Sequence, residues 1–142
     1  MHTQEYKVKV EMTLEQARFL VEALDLYSRI GIGQFGEIAH HYEHLVKNAS
    51  ERAGTTIGAY DVGVQIEKAL RFLMPESFFG SCSYGISHPE VTKKAKLAFD
   101  MLQPIRYQLA WHRCPEGGVG CHFDAPFFYT DEKPIKVLIQ RD

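Results

Sequence analysis

The longest amphipathic pattern in the sequence lies between residues 91 and 109, and it contains a proline. Its apolar residues recur at spacings of three and four, which is typical of the buried face of a helix. They are Val91, Ala95, Ala98, Met101, Leu102, Ile105 and Leu109. Pro104 lies inside the row and would kink a helix there. Residues 105–111 also alternate as a strand would, but the helical spacing continues across the proline. We therefore predict a kinked helix that begins at His88-Pro89-Glu90, with proline in the first helical position.

The first half of the chain predicts further helices after a short strand. Residues 6–12 alternate between apolar and charged side chains, which indicates a half-buried strand. Thr13 and Gln16 form a capping-box pattern that opens a first helix, and two glycines, Gly31 and Gly33, interrupt it. We expect a second helix from about Gln34, a loop over residues 48–58, and a third helix from Asp61 to about Met74.

The C-terminal residues predict two more short strands, at 121–123 and 134–140. Together these elements indicate a single domain over residues 1–142. The predicted fold class is α+β, with helices packed against a small, mostly antiparallel sheet.

Composition narrows the classes of function. The chain has 142 residues, of which 45% are hydrophobic and 24% charged, as in a globular domain. No run approaches 18 apolar residues, so we expect no membrane span and no membrane partner. The net charge of -2 argues against a partner that is a nucleic-acid polymer. The three cysteines, Cys82, Cys114 and Cys121, and the lack of a recognisable export signal indicate free thiols in a reducing compartment.

Positive charge is concentrated in one segment. Residues 88–113 hold five Lys/Arg against two Asp/Glu, and a local basic face on an acidic protein suits a small anionic ligand. Arg106 and Arg113 within it would lie on one face of a helix, about 10 Å apart. Each guanidinium can make paired hydrogen bonds to a phosphate. On a strand the two would face opposite sides, and the alternative interpretation is two solvated surface arginines.

An aromatic cluster precedes this basic segment. Phe78, Phe79 and Tyr84 lie among glycines and serines in residues 75–88. Aromatic rings in such a loop bury against something. A nucleotide base is one candidate, since stacking contributes about 1–3 kcal/mol per base. Packing over the core beneath the loop is the simpler interpretation.

The histidines raise the question of a metal site. His40 and His44 have the i, i+4 spacing of two ligands on one helical face, and Cys114, Cys121 and His122 are candidates for further ligands. However, no Cys-x-x-Cys pair is present, and His40 is not followed by the glutamate of the zinc-protease motif. The simpler interpretation is an exposed or partner-facing histidine cluster. No Gly-x-Ser-x-Gly elbow or phosphate loop occurs either. The residues thus indicate recognition of phosphate and base without an evident reaction centre.

Four segments carry a resemblance to a known family. They are residues 23–35, which contain Arg29-Ile30-Gly31-Ile32-Gly33; residues 84–90, Tyr84-Gly85-Ile86-Ser87-His88-Pro89-Glu90; residues 103–111, which contain Pro104-Ile105-Arg106-Tyr107; and residues 115–118 with Phe123-Asp124. Over about residues 5–125 the chain resembles the first Thoeris anti-defence family of phage "sponge" proteins.

This resemblance implies a binding protein rather than an enzyme. Such proteins sequester cyclic ADP-ribose isomers made by bacterial TIR-domain immune enzymes, so the downstream effector in the host cytoplasm is not activated. They bind the signal intact at a homodimer interface, and some form larger oligomers that also hold cyclic oligonucleotides. No metal and no cofactor is implied.

The resemblance also suggests site residues. An aromatic of the Phe78-Phe79 loop would stack on adenine, polar contacts would come from near His88, and Arg106 and Arg113 would hold phosphate. The full candidate set is Phe78, Phe79, Tyr84, His88, Arg106, Trp111 and Arg113, with Arg29 as a candidate for a second, oligonucleotide site. We expect Asn-Pro in the family where this chain has His88-Pro89, and an imidazole can replace only some of the contacts that an amide makes.

Two other functions remain open at this point. One is a metal-dependent nucleotide hydrolase that uses His40 and His44 as ligands. The other is an inhibitor that binds a host enzyme directly through a helical surface.

Overall fold

The structure is a computed structural model that describes residues 5–74 and 84–141. In these ranges it consists of helices: α1 (Leu14–Gly31), α2 (Glu37–His41), α3 (Glu43–Ala53), α4 (Ala59–Leu70) and α5 (Lys93–Arg113). Single 3-10 turns follow at Arg71–Leu73 and Cys121–Phe123. No strand occurs among the described residues, so the predicted α+β fold is wrong and the described fold is helical.

The predicted strands are not observed, because the alternation of apolar and polar residues does not by itself provide a neighbouring strand to pair with. Residues 6–12 lie largely exposed, with Tyr6 86% and Val8 88% accessible, and residues 134–140 likewise carry no strand assignment. A strand exists only when a neighbouring strand accepts its hydrogen bonds. The predicted strand at residues 121–123 is a 3-10 turn instead.

Helix α1 begins and ends where the sequence predicts. The Thr13 backbone N–H donates to Gln16 Oε1 at 2.8 Å, and the Gln16 N–H donates to Thr13 Oγ1 at 3.1 Å. These two bonds complete the predicted capping box. The helix ends at Gly31, and Gly33 has a φ of 91°, a conformation that favours glycine.

Helix α5 continues through Pro104, as predicted from the spacing of its apolar residues. Burial of Leu102, Pro104 and Ile105 offsets the cost of about 3 kcal/mol for a proline inside a helix. The predicted start at His88 is wrong: the helix begins at Lys93, where Thr92 Oγ1 accepts the Ala95 N–H at 3.3 Å. The Thr92 hydroxyl accepts a backbone N–H of the first helical turn, and the proline side chain has no atom that could accept it.

The core lies between α1 and α5, which form the most extensive helix pair. The C-terminal end of α1 meets the N-terminal end of α5 at Gly31 and Ala95. A Cβ on Gly31 would lie 2.3 Å from the Ala95 Cβ, so only glycine permits this approach. Because the two helices pack along their lengths from this crossing, they run antiparallel. Leu102 is fully buried between them and the segments that cover them.

Two buried polar side chains of α5 hold the C-terminal segment in place. Asp100 Oδ1 accepts the Tyr129 N–H at 2.8 Å, and Oδ2 accepts the Thr130 N–H and hydroxyl at 2.8 and 2.7 Å. The Gln103 amide pairs with the Phe127 backbone in both directions. Asp100 and Gln103 are 5% and 8% exposed. We call residues 127–130 with these two side chains the C-terminal clamp.

The middle of the chain differs in detail from the prediction. The second predicted helix is split at Tyr42 into α2 and α3 (φ −114°, ψ 28°). The predicted loop over residues 48–58 begins later, because α3 continues to Ala53 and ends at Gly54 in the left-handed conformation. Helix α4 packs on α2, where the Gly36 N–H donates to Glu67 Oε1 at 2.9 Å.

Two remaining sequence expectations concern the membrane and the thiols. Within residues 5–74 and 84–141, the helices are too short or too polar to cross a bilayer. Cys114 and Cys121 are free thiols, as predicted. Cys82 lies outside the described residues.

Several large apolar side chains lie exposed among the described residues. Tyr60 and Phe72 are 74% and 75% accessible. Exposed apolar side chains that lie near one another are typical of surfaces that contact a partner.

Candidate functional site

The two arginines predicted to bind phosphate lie on α5, on the side of Pro104 that is nearer the C-terminus. Because α5 is one helix from Lys93 to Arg113, Arg106 and Arg113 lie on one face, two turns or about 10 Å apart. The Arg106 guanidinium carbon is 6.0 Å from the centroid of the Phe99 ring, at the outer limit of a cation–π contact. Arg106 is half-buried and Arg113 is exposed. The face thus presents two cations beside a ring.

The turn at residues 121–123 packs against the end of α5 through aromatic side chains. Trp111 Nε1 donates to the Phe123 carbonyl at 3.3 Å, and the two rings meet edge to face at 5.5 Å. Tyr107 adds a second edge contact to Trp111 at 6.3 Å. A Cβ on Gly118 would lie 2.6 Å from the Phe123 ring, so the preceding turn depends on glycine. These contacts hold the turn against α5, and His122 is the middle residue of that turn.

His122 shares an electrostatic environment with both arginines. Burial, then the positive charge of Arg106, then that of Arg113, lower the pKa of His122, while Asp25 from α1 acts in the opposite direction. We call Arg106, Arg113 and His122 the cationic cluster, because the positive charges of both arginines lower the pKa of His122.

Sequence reasoning had considered His122 only as an added metal ligand. The residue is far from Arg106 in the chain, and no spacing rule connects a turn to a helix face. The signal that could have pointed to it is its position directly before Phe123-Asp124, one of the segments that carries the family resemblance.

Tyr84 and His88 lie at the other end of α5. Their rings stack at 4.1 Å with 20° between planes, and the Tyr84 N–H donates to the Ile32 carbonyl at 2.9 Å. Ile32 directly follows Gly31, which contacts Ala95. From Ala95 the helix runs about 16 Å to Arg106 and about 27 Å to Arg113. One chain therefore does not bring Tyr84 and His88 together with the arginines.

The remaining candidate residues stand as follows. Phe78 and Phe79 lie outside the described residues. Trp111 is 37% exposed and lies between Arg106 and Arg113 in the sequence of α5. The Nδ1 atom of His88 accepts the Glu90 N–H at 3.1 Å, which leaves Nε2 as the atom that could meet a ligand.

Arg29, the candidate for a second site, is engaged within the chain. Its Nε donates to Asp25 Oδ2 at 2.7 Å, and its Nη1 donates to Gln34 Oε1 at 2.8 Å. The hydrogen bond that Arg29 donates to Asp25 raises the pKa of Arg29 above its usual value. Glu37 lies 4.0 Å away. These contacts join the end of α1 to the start of α2, and the assignment of Arg29 to a second ligand site stays a prediction.

The predicted histidine pair does not lie on one helix. His40 belongs to α2 and His44 to α3, and the helix break at Tyr42 separates them. The i, i+4 argument for two ligands on one face requires a continuous helix. Across the described part of the chain, no three His, Cys, Asp or Glu side chains are grouped so that they could hold a metal ion.

Comparisons with known proteins give no assignment. No family model matches the chain, no curated protein matches it, and no solved structure matches its fold.

Proposed function

We propose that the protein is a phage anti-defence protein that binds a small cyclic nucleotide signal, of the cyclic ADP-ribose class, and sequesters it without cleaving it. The observation that supports this proposal is the pair of arginines on one face of α5, where Arg106 lies 6.0 Å from the centroid of the Phe99 ring. The positive charges of Arg106 and Arg113 also act on His122, in the turn that packs against the end of α5. The sequence resemblance to the anti-defence family supports the class of ligand and a site of action in the host cytoplasm.

The chemistry of the cluster suits a pyrophosphate joined to a base. Two guanidinium groups can each contribute about 1.5–3 kcal/mol through charge-assisted hydrogen bonds, and a stacked ring adds about 1–3 kcal/mol per base. Together these contributions bring a nucleotide into the nanomolar range if the pocket is preorganised. Tight binding alone removes a signal from solution, so no reaction centre is needed.

We further propose that the binding unit is a homodimer, or a higher oligomer built from it. The support for this proposal is the exposure of large apolar side chains such as Tyr60 and Phe72, which a second copy of the chain would cover. Within one chain, Tyr84 and His88 lie far from Arg106 and Arg113, and a second copy would bring the two groups together. The Tyr84–His88 pair of one protomer could approach the cationic cluster of its partner, so that the ligand is enclosed between them.

Self-association has a direct measurement. Sedimentation equilibrium at micromolar concentration should give a mass of at least twice the 16.2 kDa of the chain, because the exposed apolar surface would otherwise remain in water. A monomer at this concentration would contradict the proposal that two copies form the binding unit.

Sequestration is tested by recovery of the ligand. The protein is incubated with cyclic ADP-ribose isomers made by a TIR-domain enzyme, freed of unbound nucleotide, and then denatured by heat. We expect the supernatant to contain the unaltered cyclic nucleotide. Recovery of linear ADP-ribose or of other cleaved products would show catalysis instead of sequestration.

One observation favours a second candidate function, that of a direct protein-binding inhibitor. Tyr60, Phe72 and Leu73 expose apolar surface on and after α4, away from the cationic cluster in sequence. If the nucleotides produce no binding heat but a host enzyme co-purifies with the protein, this function replaces the first. No observation in the described ranges favours the metal-dependent hydrolase.

A further inference from the structure

The segment at residues 6–12 carries a row of apolar side chains that the described part of the chain leaves uncovered. The row consists of every second residue, Tyr6, Val8, Val10 and Met12. Val8 and Val10 are 88% and 69% accessible. Within residues 5–74 and 84–141, no backbone hydrogen bond joins the segment to the rest of the chain. An apolar row of period two and backbone groups without partners in these ranges are the features by which one strand pairs with another.

Contacts at both ends of this segment place it beside the α1–α5 pair. At one end, Lys133 Nζ donates a hydrogen bond to Glu5 Oε1. The preceding residue, Glu132, pairs with Lys93 Nζ at 3.3 Å, at the start of α5. At the other end, Thr13 caps α1, and this cap lies toward the C-terminal end of α5 because the two helices run antiparallel. The segment therefore runs in the same direction as α5.

The charged residues between the apolar ones restrict how two copies of the segment can pair. In an antiparallel pair, opposite side chains share a face, so a twofold axis must pass through a residue if apolar side chains are to meet. A paired stretch of at least about five residues inside 5–12 then leaves the axis at one of residues 7–10. An axis at Lys7 or Lys9 sets that lysine opposite its own copy, and an axis at Val8 sets Lys7 opposite Lys9. Like charges directly opposite one another destabilise the pair.

An axis at Val10 opposes no like charges. Each Lys9 then lies opposite the partner subunit's Glu11, so two ion pairs form on one face. On the other face Val10 meets its own copy, and Val8 meets the partner's Met12. The segment is thus complementary to itself in charge and in apolar side chains, which argues for a second copy of the chain as its partner.

We propose that residues 8–12 pair antiparallel with the same residues of a second copy of the chain, with the twofold axis at Val10. This β-ribbon forms only between chains, and the fold of each chain stays helical. The inference deepens the proposed function and rests on the homodimer that it includes. Because the segment runs beside α5, a twofold axis at the segment reverses the direction of the partner's α5. Tyr84 and His88 of one protomer then lie at the same end of the dimer as the partner subunit's Arg106.

Oxidation of a Val10→Cys variant tests the position of the axis. Directly opposite residues of antiparallel strands have Cα atoms about 4.5–5.5 Å apart, which a disulfide can bridge. We expect a covalent dimer on a non-reducing denaturing gel, under an oxidant that leaves the wild type, with its native cysteines, uncross-linked. The matched control is Val8→Cys, whose two copies would lie four residues or about 14 Å apart and should not cross-link. If Val8→Cys cross-links as readily as Val10→Cys does, or if neither does, the proposed pairing is wrong.

Charge reversal tests the pairing without a new covalent bond. Lys9→Glu turns two ion pairs into like-charge pairs and should weaken self-association in sedimentation equilibrium by about ten-fold or more. The combined Lys9→Glu/Glu11→Lys variant restores opposite charges and should associate as the wild type does. Lys7→Glu makes the same change of net charge outside residues 8–12 and should have little effect. Equal association of the Lys9→Glu and Lys7→Glu variants would contradict the register.

The outcomes separate this inference from the proposed function. If the wild type is a dimer that Lys9→Glu does not weaken and Val10→Cys does not cross-link, the homodimer stands and this interface is wrong. If the wild type is a monomer that binds cyclic ADP-ribose, the ribbon and the homodimer are both wrong, while sequestration stands. If Val10→Cys cross-links but the protein binds no cyclic nucleotide, the interface stands and the proposed ligand is wrong.

Discussion

Asp100→Ala is expected to lower the free energy of unfolding by about 3–5 kcal/mol. The carboxylate accepts three hydrogen bonds from residues 129 and 130 and is 5% exposed. Its loss leaves two backbone N–H groups without a partner and releases the C-terminal clamp from α5. Urea unfolding gives the free energy, and hydrogen exchange at the Tyr129 and Thr130 amides reports the release.

A matched control lies one residue beyond the clamp. Asp131 is exposed, and Asp131→Ala should change the free energy of unfolding by less than about 0.5 kcal/mol. Equal stability of the Asp100→Ala and Asp131→Ala variants would contradict the role of Asp100 in holding the C-terminal segment.

Combined replacement of Arg106 and Arg113 by alanine should weaken binding of cyclic ADP-ribose by about 10²–10⁴-fold. The estimate follows from two charge-assisted interactions of about 1.5–3 kcal/mol each. The fold should remain intact, because Arg113 is exposed and the contact of Arg106 within residues 5–74 and 84–141 is with the Phe99 ring at 6.0 Å. Calorimetric titration measures the affinity, and circular dichroism checks the helix content.

The control for this variant is another exposed arginine. Arg52 lies at the end of α3, and Arg52→Ala removes one positive charge without touching the cationic cluster. Its affinity should match that of the wild type. If the Arg106/Arg113 double variant also binds as the wild type does, the two guanidinium groups are not the phosphate contacts.

Helices with local signals could be predicted from the sequence. The hydroxyl of Thr13 and the amide of Gln16 are three residues apart, so the capping box is visible in the chain. The apolar row across Pro104 also predicted one helix, since buried contacts on one face outweigh the missing hydrogen bond of a proline. Such signals depend on residues that are close in sequence, so the helices that they predict are present in the structure.

The predictions that failed depended on distant partners. Residues 6–12 have a strand's alternation, but no neighbouring strand within the described residues accepts their hydrogen bonds. The start of α5 was misplaced because Pro89 and Thr92 both suit a helix start, and only the bond from Ala95 decides between them.

The candidate site was predicted in part. The alignment of Arg106 with Arg113 followed from their spacing on a helix. The effect of their charges on His122 depends on how the turn at residues 121–123 packs against Trp111. Likewise, the distance between Tyr84 and the arginines depends on the antiparallel crossing of α1 and α5 at Gly31, which no sequence pattern specifies.

The most direct test of the central claim is a crystal structure of the protein with bound cyclic ADP-ribose. We expect the pyrophosphate within about 3 Å of the Arg106 and Arg113 guanidinium groups, with the adenine against an aromatic ring. A pyrophosphate bound away from both arginines would contradict the account. So would a crystal grown with saturating ligand in which no ligand contacts the α5 face that carries Arg106 and Arg113.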